Sequence, residues 1–141
     1  MTNALDRLVA FYENIRPETL PELRRLYAPE ARFKDPFNDV AGHDAIVRIF
    51  EHMFSQVERP AFRVLNSFAS GRQAGLEWVF SFSLSGRVFE VSGASVLLFD
   101  EAERVCIHRD YWDPAEEFYA KLPCVGGMFR WLRRRMSATP S

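Results

Sequence analysis

Val105-Cys106-Ile107-His108-Arg109-Asp110-Tyr111-Trp112-Asp113 is the stretch on which the reading of this chain turns. It has the composition of a β-strand, yet ionisable side chains run through it. Side chains of a strand alternate between two faces. Cys106, His108, Asp110 and Trp112 therefore share one face, and Ile107, Arg109, Tyr111 and Asp113 share the other. Apolar residues fall on both, so both sides of the sheet are expected to be covered. A carboxylate on a covered face finds a partner or shifts its pKa. Asp110 is thus either a paired structural acid or a tuned acid in a pocket.

Working outward, the preceding residues also alternate. Phe62, Val64, Asn66 and Phe68 share a face, as do Leu76, Trp78, Phe80 and Phe82. Gly71-Arg72 and Ser85-Gly86-Arg87 read as the turns between strands. A strand over 88–99 follows, with Gly93 a bulge or kink, and Asp100-Glu101-Ala102-Glu103 turns the chain into the stretch quoted above. Before Pro60 the period is helical. Leu5, Leu8, Val9 and Tyr12 form one stripe, and Ile46, Ile49, Phe50, Met53 and Phe54 form another. Between them Thr19 reads as an N-cap, with Glu22 completing a capping box. Leu20, Leu23, Leu26 and Tyr27 form the apolar side of that second helix. Ala31 to Asn38 reads as a short strand turning into a loop at Asp35-Pro36. Asp113-Pro114-Ala115-Glu116 has the pattern of a capped helix start, and Pro123 stops that helix. Helices, then antiparallel strands, then a C-terminal helix make one α+β domain over 1–141.

A chain of 141 residues with 48% hydrophobic and 26% charged residues is globular and long enough to bury a core. Thirteen phenylalanines suit a large apolar interior or a lined cavity. The net charge of -1 provides no basic field, so no nucleic-acid partner is expected. Cys106 and Cys124 are too few for a disulfide framework. No signal-peptide pattern opens the chain, and no apolar run reaches the roughly 18 residues that span a bilayer. A reduced, cytoplasmic, soluble protein is the expectation. His43, His52 and His108 are too scattered for a zinc motif, and Gly126-Gly127 lacks the rest of a phosphate loop, so neither metal nor cofactor is expected. A short basic helical tail at 126–136 could lie on an anionic membrane surface; its two turns better suit a solvated or dimer-packing helix.

The chain resembles the nuclear transport factor 2-like superfamily, which includes ketosteroid isomerases, limonene epoxide hydrolases and SnoaL-like polyketide cyclases. Leu26-Tyr27-Ala28-Pro29-Glu30-Ala31-Arg32-Phe33-Lys34-Asp35-Pro36, Gly42-His43-Asp44-Ala45-Ile46 and Arg109-Asp110-Tyr111-Trp112-Asp113 carry the resemblance. It implies a cone: a curved antiparallel sheet wrapped around N-terminal helices, enclosing a pocket. Asp35 then matches the isomerase general base, whose tyrosine partner falls on Phe11, next to Tyr12, and whose second acid falls near Ser95. Asp110 matches one acid of the hydrolase triad, whose other members fall near Glu90 and Ser92. It also matches the cyclases, in which an acid on this strand transfers protons largely alone.

The candidate catalytic set is Asp110, assisted by Asp35, His108 or Tyr12. Each has a structural alternative: an ion pair for Asp110, a turn cap for Asp35, core packing for His108 and Tyr12. Trp78, Trp112 and Phe80 would line the substrate pocket or simply pack. Two functions stay open. One is a cofactor-independent isomerase, cyclase or lyase acting on a hydrophobic or polycyclic small molecule. The other is a non-catalytic binding or dimerisation domain. Semi-apolar outer strand faces point to a homodimer built on the sheet.

Overall fold

The computed structural model describes residues 2–113 and Arg134. Helix α1 (Thr2–Glu13) is followed by a 3-10 helix (Pro17–Glu22) that runs into a single α-turn, α2 (Leu23–Leu26). Strands β1 (Tyr27–Lys34) and β2 (Asp39–Ala41) precede helix α3 (His43–Gln56). The long strands β3 (Glu58–Ser70), β4 (Gln73–Leu84) and β5 (Arg87–Phe99) then lead to β6 (Val105–Tyr111). The six strands form one curved, unclosed sheet in the order β2-β1-β6-β5-β4-β3. Every pair is antiparallel except β1 with β6, which run parallel. This is the α+β cone expected from the resemblance. The helix read after Asp113, its stop at Pro123 and the basic tail at 126–136 lie outside the described residues.

The core fills the concave side of the sheet. Leu5, Leu8 and Tyr12 of α1 and Ile46, Ile49 and Phe50 of α3 are buried against Leu76, Trp78, Phe80 and Phe82 of β4 and Leu97 and Phe99 of β5. Both helical stripes and the inward face of β4 thus lie where their periodicity puts them. The β4–β5 hairpin turns through Ser85 and Gly86, both at positive φ (51° and 79°). That is the combination whose twist matches the two strands it joins.

Several local readings change. Thr19 does not open a helix; it is the third residue of the 3-10 turn. Its hydroxyl accepts the Arg16 N–H and donates to the Arg16 carbonyl, both at 3.0 Å. Pro17, ahead of it, starts the turn because its fixed φ is ready-made for a first helical position. Tyr27 is not on the second helix but is the first residue of β1. Gly93 is no bulge, since β4 and β5 stay in register through Trp78↔Gly93. A Cβ there would stand 2.4 Å from a ring carbon of Trp78, so glycine is what lets the indole lie flat on β5. The bulge falls instead in β3, between Val64 and Asn66. An extra residue in a strand reverses which side chains face inward. Phe62 and Val64 therefore pair with inward Phe80 and Trp78, while Asn66 and Phe68 pair with Glu77 and Gly75. Phe68 ends 62% exposed on the convex side. On the same side Val96, Ile107 and Tyr111 are each about half exposed.

Candidate active site

Register builds the site. Asp110 on β6 lies opposite Ser95 on β5, which lies opposite Leu76 on β4. One row over, His108 is flanked by Leu97 on β5 and Phe33 on β1. Both rows face the concave side, because β6 alternates as its sequence implies. His108 is buried and Asp110 half-buried there, while Ile107, Arg109 and Tyr111 are exposed on the other side.

A continuous hydrogen-bond chain crosses these rows. The Trp78 indole N–H donates to Ser95 Oγ at 2.9 Å, and Ser95 donates to Asp110 Oδ1 at 2.5 Å. His108 Nε2 meets the same Oδ1 at 2.6 Å, and its Nδ1 meets the Tyr27 hydroxyl at 2.6 Å. Tyr27 in turn bonds the Tyr12 hydroxyl. The direction of the hydrogens follows from counting them. Asp110 accepts, so Nε2 carries its hydrogen. Tyr12 donating to Tyr27, and Tyr27 to Nδ1, gives every hydrogen an acceptor. Reversing the tyrosines would leave the Tyr12 hydrogen with no acceptor among the described residues, a costly arrangement where nothing is solvated. With the hydrogens in this order, Nε2–H of His108 is aimed at Asp110 and Nδ1 accepts from Tyr27. Burial pushes both tyrosine hydroxyls well above the usual phenol range, so they stay protonated. Both bonds to Asp110 converge on Oδ1; Oδ2 takes none among the described residues.

Asp110 also borders two apolar lobes that share Phe50, Phe62, Trp78 and Asp110 in their linings. A lobe of about 30 Å³ is bounded by Tyr12, Phe50, Phe62, Trp78, His108 and Asp110. A second, of about 70 Å³, reaches Asp35, Phe62, Trp78, Phe80, Trp112 and, again, Asp110. A water needs at least about 10–15 Å³ of such space, so the lobes as they stand admit a few waters or a compact group. Asp35, Asp110 and Trp112 also line an open outer cleft beside Lys34 and Arg109.

Asp35 fulfils both of its readings. Its Oδ1 accepts the backbone N–H of Phe37 at 2.8 Å and of Asn38 at 2.7 Å, the turn role that Asp-Pro implies. Its carboxylate also borders the cavity. Burial, and then the charge of Asp110, push its pKa up to about 6, against the lowering effect of the turn bonds.

Tyr12 and His108 line the smaller lobe, Asp35, Phe80 and Trp112 the larger, and Asp110 and Trp78 both. Among the described residues Asp110 has no arginine partner; Arg109 lies outward against the Tyr111 ring. Glu90 and Ser92 are exposed, so the three hydrolase positions do not converge. Cys106, half-buried on the inward side, gives its S–H to the Leu98 carbonyl at 3.4 Å, and burial raises its thiol pKa. His43 bonds the Tyr27 carbonyl at 2.7 Å and so steadies the start of β1. Sequence reasoning missed Tyr27 as part of the chain and Ser95 as a partner of Asp110. Among the described residues, no group of three or more His, Cys, Asp and Glu is placed to hold a metal.

Residues 8–108 match the family described as the SnoaL-like domain. The chain belongs to that family. The match includes His108 and ends just short of Asp110. No curated protein matches the sequence. Among solved structures, an NTF2-like protein of unknown function from Burkholderia pseudomallei superposes with a TM-score of 0.72 at 20% identity, covering 82% of this chain and 95% of its own. A protein with a ketosteroid isomerase-like fold from Catenulispora acidiphila, in complex with trimethylamine, gives 0.71 at 18%, with 85% and 93% covered. An epoxide hydrolase of the LEH-like type from Mycobacterium tuberculosis gives 0.67 at 16%, with 92% and 90% covered. At these identities the likeness shows a shared fold. Among the described residues, no helix is long and apolar enough to cross a membrane.

Proposed function

We propose that this SnoaL-like domain is a cofactor-independent enzyme of the isomerase, cyclase or lyase type, acting by proton transfer on a hydrophobic small molecule. The observation that carries the reading is Asp110: a carboxylate on an apolar cavity, one oxygen fixed by His108 and Ser95, the other free of partners among the described residues. A structural acid would spend both oxygens on a cation or on backbone. Held this way, Oδ2 can take a proton from an activated C–H of the substrate. The C–H bond breaks, an O–H forms on Asp110, and the electron pair moves onto a conjugated oxygen. Asp35, with its pKa near neutrality, can protonate that oxygen and later recover the proton. Asp110 then returns its proton to the same or a neighbouring carbon. Tyr12, His108 and Ser95 hold the base in position, and Trp78, Phe80 and Trp112 provide the apolar walls.

The narrowness of the lobes supports a second reading, a binding or dimerisation domain without turnover. A polycyclic substrate requires half-buried Met53, Phe62 and Trp112 to swing aside. In either case the expected setting is a cytoplasmic homodimer. The experiment is deuterium incorporation from D₂O into a panel of small cyclic enones and diketones, followed by NMR. Incorporation by the wild type and its loss in Asp110→Asn is the expected result. Equal incorporation by both proteins would remove Asp110 from the chemistry, and binding without incorporation would favour the second reading.

A further inference from the structure

The larger lobe combines two features that seldom meet in a site for neutral ligands. Its walls are aromatic, from Phe62, Trp78, Phe80 and Trp112, and its polar groups are two carboxylates, Asp35 and Asp110. Among the described residues no lysine or arginine lines it. Neither acid is paired with a cationic side chain among the described residues. Asp35 is bonded to backbone N–H groups and to the Asn38 amide, Asp110 to the Ser95 hydroxyl and the His108 imidazole. Lys34 and Arg109, the nearest cations in sequence, are exposed and border the outer cleft, not the lobe. Two acids thus face one apolar space that no lysine or arginine among the described residues lines. The faces of aromatic rings carry negative potential that attracts an alkylated ammonium, and water-poor surroundings strengthen that attraction.

We propose that the compact group this lobe receives is a small alkylammonium cation, with its nitrogen charge shared by Asp35 and Asp110 and its alkyl groups against the rings. The assignment rests on the proposed function in that it names the substrate class of the same cavity. The room available, about 70 Å³, fits a compact branched head better than a fused ring system. Burial, and then the charge of Asp110, raise the Asp35 pKa, and a cation between the acids offsets the second of these.

The test uses a pair of probes equal in shape and different in charge: choline and 3,3-dimethylbutan-1-ol. Binding of each to the wild-type protein is followed by the fluorescence of its tryptophans and by calorimetry, alongside Asp35→Asn and Asp110→Asn. Choline is expected to bind at least about tenfold more tightly than the neutral alcohol. Each amide variant should narrow that gap while leaving alcohol binding unchanged. The wild-type comparison needs no variant to fold, so it decides even if Asp35→Asn loses its turn. Equal or weaker binding of choline, or no detectable binding of either probe, would overturn the assignment. If choline fails while neutral enones still exchange deuterium in an Asp110-dependent way, the cation proposal falls and the proton-transfer reading stands.

Discussion

At the residue scale, the chemistry depends on how few groups Asp110 touches. The sequence made Asp110, His108, Tyr12 and Asp35 visible because an ionisable or hydroxyl group on an apolar stripe stands out from its neighbours. Tyr27 and Ser95 were invisible for the opposite reason. A tyrosine among leucines reads as packing, and a serine opposite an aspartate is found only once the register is known. Tyr27→Phe tests the hydrogen count directly. It leaves His108 Nδ1 and the buried Tyr12 hydroxyl without their partner, so a loss of roughly 1–3 kcal/mol is expected in denaturant melts. The ¹⁵N signals of His108 should also change from a single Nε2–H tautomer to a mixture, which a merely structural tyrosine would not cause. Asp35 gives a second expectation with a definite sign. Its folded pKa of about 6 lies above the ordinary aspartate value of 3.8, so the folded state holds this proton more tightly than the unfolded one. That stabilisation is complete below about pH 4 and is lost as pH rises through about 6, up to on the order of 3 kcal/mol. Asp35→Asn should therefore flatten the stability profile between these pH values. A wild-type melting temperature unchanged across that window would refute the burial argument.

At the element scale, periodicity made the helices, β4 and β6 legible, and it failed wherever a strand breaks its own period. The β3 bulge sends Asn66 and Phe68 to the convex side, and nothing in the local sequence marks it. Tyr27 was misplaced because an apolar residue at helical spacing is equally the first residue of a strand. The parallel pairing of β1 with β6 is a long-range choice that local pattern does not encode. Gly93 was noticed for the wrong reason: strand glycines mark either a bulge or a close approach, and here the approach is the Trp78 indole. Gly93→Ala should displace that ring and break its bond to Ser95, at a cost of about 1–3 kcal/mol. Thermal melts with tryptophan fluorescence check this; an unchanged melting temperature would mean that Trp78 moves aside freely and does not brace the site.

At the scale of the whole molecule, the cone turns its convex strand faces outward with Val96, Ile107, Tyr111 and Phe68 exposed. An apolar area of this kind is ordinarily covered, and a second copy of the chain is the expected cover. Sedimentation at micromolar concentration should give twice the 16.4 kDa chain mass, and Ile107→Arg should return the monomer. A wild-type monomer would contradict it. The concave side carries the central claim, that Asp35 and Asp110 face one apolar cavity as an electrostatically coupled pair. Carboxyl ¹³C titration of Asp35, in the wild type and in Asp110→Asn, tests that claim without knowledge of the substrate. The account predicts a wild-type midpoint of about 6 that falls when the Asp110 charge is removed. A midpoint in the ordinary aspartate range, or one that Asp110→Asn leaves unmoved, would contradict it.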